Sequence, residues 1–178
     1  MSYGVSRWAA KMRHILLLAA LALPAACATL ASYKDGVVET KHTRYRVEAP
    51  GKAWERIGVR NGDLAFWRDD LHAFILLNST CDEYRDAPVE SLANHLFIGI
   101  ENKNFVEQKE TPLDGRNAVY SVVEGELDGA PVKVAAYTLV RDYCTYDLSF
   151  SAPPERFEAG MPDFERVAAR FHVVGRRD

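Results

Sequence analysis

Two Asp-Gly pairs, Asp114-Gly115 and Asp128-Gly129, each lie between runs of alternating apolar and polar residues. A two-residue turn of that composition takes positive φ at both positions, which Asp tolerates and Gly prefers, and it matches the twist of the strands it joins. Residues 105–111, 117–127 and 132–141 therefore read as consecutive antiparallel strands, and Asp142-Tyr143 leads into a fourth run over 144–151. In that run Cys144, Tyr146, Leu148 and Phe150 share one face and Thr145, Asp147 and Ser149 the other, so the cysteine is expected to point inward.

Upstream, residues 45–49 alternate and stop at Pro50-Gly51, Asn61-Gly62 precedes a run over 63–68, and Asp69-Asp70 separates that run from 73–80. Two segments change period. Val89, Leu92, Ala93, Leu96, Phe97 and Ile100 follow i, i+3, i+4, i+7, i+8 and i+11, which predicts a helix over 88–103 with Pro88 in its first turn. Phe164, Val167, Ala168 and Phe171 predict a second helix, after a short turn ending near Gly160. The fold class is α+β: an antiparallel β-sheet of hairpin-linked strands with two amphipathic helices packed on it.

The first 26 residues carry Arg7, Lys11 and Arg13 but no acid, then an apolar run over 15–23 and small residues before Cys27. This is the layout of a secretory signal, and the apolar run is far short of the roughly 20 residues that cross a bilayer. The stretch Leu23-Pro24-Ala25-Ala26-Cys27 resembles a bacterial lipobox, with Pro24 where such boxes usually carry leucine. Lipidation at Cys27 is therefore expected, and its acyl chains would supply the membrane anchor. The competing reading is conventional cleavage after Ala28, since Ala26-Cys27-Ala28 has the A-x-A form. The chain divides into a signal over 1–26, a lipid-anchored tether over 27–43, a single α+β domain over 44–173 and a polar tail over 174–178.

Loss of the leader leaves 19 basic and 25 acidic residues. That balance, with no local Lys/Arg cluster, disfavours nucleic acid as a partner and leaves membrane association to the anchor. Once Cys27 is used, Cys81 and Cys144 remain as an even pair in an oxidising compartment. A bridge between them would close a loop of about 64 residues, worth roughly 4 kcal/mol; the alternative is two buried free thiols.

Candidate chemistry is sparse. Asp69, Asp70 and His72 offer metal-type ligands but sit where a turn must be, and turn aspartates bond their own backbone. Cys81 is followed by Asp82, Glu83 and Asp86, an anionic setting that does not activate a thiol. His95 with Ser91 lacks an orienting third group, and His42, His72 and His172 share no ligand spacing. No catalytic residue, metal or cofactor is expected. Tyr137, Tyr143, Tyr146, Phe150 and Phe157 make an aromatic-rich C-terminal half, where an outward tyrosine would suit a binding surface.

The segment Tyr45-Arg46-Val47-Glu48-Ala49-Pro50 followed by Trp54, with the closing Phe164-Glu165-Arg166-Val167-Ala168-Ala169-Arg170-Phe171, resembles the PsbP/Mog1-like α/β/α sandwich over about 43–173. The lipobox-like start and the cysteine pair are similar to those of a set of bacterial lipoproteins. The better-known members are binding or assembly subunits, one in photosystem II and one on a small GTPase. The resemblance thus implies a non-enzymatic protein-binding or accessory domain with a protein partner, and the leader and anchor imply a lipid-anchored place in the cell envelope, facing the periplasm, with the outer membrane favoured over the inner. The alternatives are a periplasmic hydrolase or metal-dependent enzyme, and a small-ligand-binding domain.

Overall fold

Four tight turns carry positive φ at two successive residues: Asp35-Gly36 (51° and 74°), Asp114-Gly115 (49° and 71°), Asp128-Gly129 (52° and 77°) and Asp142-Tyr143 (53° and 60°). These are type I′ hairpin turns, and they dictate most of the topology. The computed structural model describes residues 31–81 and 87–177. In chain order the elements are β1 (Ser32–Lys34), β2 (Val37–Glu39), β3 (Thr43–Arg46), β4 (Glu55–Ile57), β5 (Leu64–Arg68), β6 (Ala73–Cys81), α1 (Val89–His95), β7 (Glu101–Leu113), β8 (Arg116–Leu127), β9 (Ala130–Arg141), β10 (Cys144–Ala152), α2 (Pro154–Ala169) and β11 (His172–Arg176), with one 3₁₀ turn at Asp69–Leu71.

The strands form a seven-stranded sheet of order β4-β5-β6-β10-β9-β8-β7 and a four-stranded sheet of order β1-β2-β3-β11. Ile75, Leu77, Tyr146, Leu148 and Phe150 line one face of the large sheet and join α2 and the small sheet in the main core. On the opposite face Val123, Val132, Val134 and Ala136 form a second core with Phe97, just past the end of α1. The expected α+β class, two helices on antiparallel sheet, is what the chain adopts.

Helix α1 is shorter than its apolar periodicity implies. After His95 the backbone closes with i→i−3 bonds, Phe97 N–H to the Asn94 carbonyl and Ile98 N–H to the His95 carbonyl, which tuck Phe97 into the second core. Residues 101–103, expected to be helical, instead belong to β7, because β8 runs on to Leu127 and offers Glu124 and Glu126 as partners for Asn104 and Glu101. Gly125 permits that approach: a Cβ there would lie 2.6 Å from the Glu101 carbonyl oxygen.

At the other end, α2 is one continuous helix through Gly160 and Pro162 rather than a turn followed by a helix. Gly160 is the point of closest approach to the sheet, since an added Cβ would fall 2.6 Å from Cζ of Phe150. Two boundaries also differ. The segment expected as tether is strand from Ser32, with Val38 fully buried, and the expected polar tail from 174 is partly β11, which pairs with the open edge of β3 and buries Val173. Short strands at chain ends carry weak periodicity of their own; the neighbouring edge supplies their order.

Candidate functional site

Cys81 and Cys144 stand directly opposite in the β6–β10 register and are joined by a disulfide, S–S 2.08 Å. The bond closes the end of the sheet beside Ser79 and Tyr146. There the Asp63 carboxylate accepts from Ser79 Oγ (2.5 Å) and Tyr45 OH (3.1 Å), tying the small sheet to the large one. Burial holds the Asp63 pKa above its ordinary value, against the pull of those two hydrogen bonds. Burial likewise pushes Tyr146 up to about 12. Cys27 and residues 82–86 lie outside the described residues.

The residues singled out in the sequence do not converge. Asp69 and Asp70 are consumed locally: Trp67 Nε1 donates to Asp69 Oδ1 (3.4 Å), and Arg68 pairs with Asp70 (2.9 Å). His72 occupies the left-handed position that ends that turn, with φ 46°. Ser91 and His95 lie on the exposed side of α1. Among the described residues no three His, Cys, Asp or Glu side chains are grouped so as to hold a metal ion. Of the five aromatic residues, Tyr146, Phe150 and Phe157 are core, Tyr137 is half-buried against Phe164, and Tyr143 is 62% exposed on its hairpin turn.

Two surface features remain. The first is polar and lies on the second face of the large sheet, where Asn78, Asp147 and Thr138 form one row across β6, β10 and β9. Thr138 Oγ1 donates to Asp147 Oδ1 (2.8 Å), while burial raises the Asp147 carboxyl to about 6. Thr80, Thr145 and Ser149 extend this half-buried polar floor on the same face. Alternation placed Asp147 on that face, but its desolvation depends on strands 69 and 9 residues away in the chain.

The second is apolar. Leu96 (36% exposed) and Ile98 (64%) flank buried Phe97, and Phe105 (39%) packs edge-on against the Phe97 ring at 5.8 Å, with Val106 (50%) beside it. Leu96 and Ile98 lie just past the end of α1, and Phe105 and Val106 lie on the edge strand β7, which the Phe97–Phe105 contact joins to them. Grouped exposed apolar residues mark interaction surfaces more often than scattered ones do. The sequence hid this corner because Leu96 and Phe97 fit the inner face of a longer helix while Phe105 and Val106 fall in a separate strand run.

With this geometry the chain can be set beside solved structures. It superposes on LpqN of Mycobacterium tuberculosis, described as involved in cell envelope biogenesis, with TM-score 0.56 and 9% identity over 75% of this chain and 86% of that one. It also superposes on the cyanobacterial PsbP (CyanoP) of Synechocystis sp. PCC 6803, with TM-score 0.52 and 13% identity over 80% and 89%. This chain has the PsbP-like fold. A Pseudomonas aeruginosa protein of unknown function shares that PsbP-like fold, with TM-score 0.51 and 10% identity over 83% of this chain and 97% of that one. A scan against protein-family models and a search of curated proteins return no match.

Proposed function

We propose that this chain is an extracytoplasmic accessory domain, tethered to a membrane through Cys27, that binds a protein partner in the cell envelope. The observation that carries the reading is the exposed apolar corner of Leu96, Ile98, Phe105 and Val106. Three further points support it. The Cys81–Cys144 bond suits an oxidising compartment. The leader has the layout of an export signal. LpqN, which shares the fold, is involved in cell envelope biogenesis.

The test is in-cell photocrosslinking from the full chain, with a photoreactive residue at Ile98 or Val106 and a control at exposed Glu55. One discrete adduct from 98 and 106, absent from 55 and lost in the double variant Ile98→Asp, Val106→Asp, is expected. No adduct from either position in a normally exported protein removes the reading. For the anchor, intact-mass analysis of the membrane fraction should show residue 27 at the N-terminus with added acyl mass; a soluble product starting at Thr29 refutes it.

Binding of a small ligand is the second reading, favoured by the row of Asn78, Asp147 and Thr138 on the polar floor. A ligand held there would stabilise the wild-type chain against heat and leave Asp147→Asn unaffected.

A further inference from the structure

The net negative charge of the mature chain conceals a segregated distribution. The outward face of the small sheet has two rows: Lys34, Val37, Arg46 and His172, then Ser32, Glu39, Arg44 and Gly175. Lys34, Arg44 and Arg46 on it are exposed, as are Lys41 in the β2–β3 turn and Arg176 and Arg177 at the C-terminal end. Residues 31–48 and 170–177 together hold seven Lys/Arg against three Asp/Glu, so the remainder of the mature chain is strongly acidic. Glu39 is the acid within this face, bonded to Arg44 (2.9 Å) and near Arg177 (3.9 Å). A cleft of about 400 Å³ opens there, lined by Glu39, Arg44, Val174, Gly175, Arg176 and Arg177.

The tether leads into β1, the opposite edge of the same sheet. Four residues separate Cys27 from Ser32, a reach of at most about 17 Å. Ser32 lies in the row of Arg44, two strands or about 10 Å away. An acylated Cys27 would thus hold this face close to the bilayer surface, where cations gain from anionic headgroups within a Debye length of about 8 Å.

We infer that the basic outer face of the small sheet is a membrane-apposed surface that binds anionic phospholipid headgroups and orients the domain on its anchor, with the apolar α1–β7 corner left to a partner. The occupant is the bilayer, on two grounds: charge complementarity and the short span from the anchor to β1, the first strand of this face. The inference rests on the lipid-anchor reading.

The test reconstitutes the membrane-isolated protein into vesicles of phosphatidylglycerol and phosphatidylethanolamine, or of phosphatidylcholine, and measures amine labelling of Lys34, Lys41 and Lys109. Protection of Lys34 and Lys41 in the anionic vesicles, with Lys109 unchanged and the protection lost at 0.5 M salt, is expected. Equal labelling in both vesicle types overturns the inference. A second arm uses the exported Cys27→Ser chain without acyl groups in co-sedimentation. Removing three cations in Arg44→Gln, Arg46→Gln, Arg177→Gln should weaken its binding to anionic vesicles roughly a hundredfold, at about fivefold per cation. If that variant misfolds, Lys34→Gln with Arg46→Gln takes its place, since neither residue has an ion pair among the described residues. An unacylated native protein whose Cys27→Ser chain still binds anionic vesicles removes the tether and keeps the face. An acylated protein without protection removes the face alone. Salt-sensitive self-association without vesicles would assign the face to a second copy and overturn the inference.

Discussion

Asp147 is a position where a conservative change should stabilise the protein. Its carboxyl sits on the second face of the large sheet with Thr138 as its hydrogen-bond donor, and burial lifts its pKa from 3.8 to about 6. For an acid raised in the folded state, the unfolded chain releases its proton first. Stability is therefore full below the unfolded value and falls as pH rises from about 4 through about 6. A shift of roughly two units corresponds to about 3 kcal/mol at pH 7 and about half that at pH 5. Asp147→Asn removes the ionisation and keeps an acceptor for Thr138 Oγ1. The variant should be about 3 kcal/mol more stable than wild type at pH 7, and the difference should narrow toward pH 4. Urea unfolding at pH 4, 5, 6 and 7 measures it, with the two chains compared at each pH so that Asp63 and other acids cancel. A difference that does not change with pH, or a variant less stable at pH 7, would refute the account of Asp147 as a desolvated carboxylate.

Two further changes probe the frame around these surfaces. Replacing Cys81 and Cys144 together by alanine opens a loop of 63-residue separation and should cost about 4 kcal/mol in denaturant unfolding; an unchanged midpoint would show that the unfolded chain was not constrained by the bond. Gly160→Ala drives a methyl into the Phe150 ring and should cost roughly 1–3 kcal/mol in thermal or urea unfolding, although alanine favours helix; a stabilised variant would mean that α2 does not approach β10 as closely as described.

The sheet was largely legible because its signals are local. Asp-Gly at 114–115 and 128–129 dictates turn geometry within two residues, and strict alternation over 144–152 assigns every side chain to a face without knowledge of the rest. Helix periodicity misled at 96–103 for the opposite reason. Leu96, Phe97 and Ile100 fit a helical stripe equally well when the helix has already ended, and only the length of β8 shows that β7 must begin at Glu101. Asp147 and the apolar corner stayed hidden in the same way, since burial and exposure belong to neighbours brought from elsewhere in the chain.

By itself the sequence determined the antiparallel hairpins, the helical character of 89–95 and the inward set of Cys144, and it raised the expectation of a leader and of an anchor at Cys27. These depend on contacts between residues a few positions apart, or on composition. The tertiary structure alone decided that Arg44 from β3 meets Arg176 and Arg177 from the C-terminal end, more than 130 positions later, on a face whose opposite edge strand is β1. Net charge is a sum over the chain, whereas electrostatic attraction falls off over about a Debye length, so the fold and not the composition sets which surface is basic.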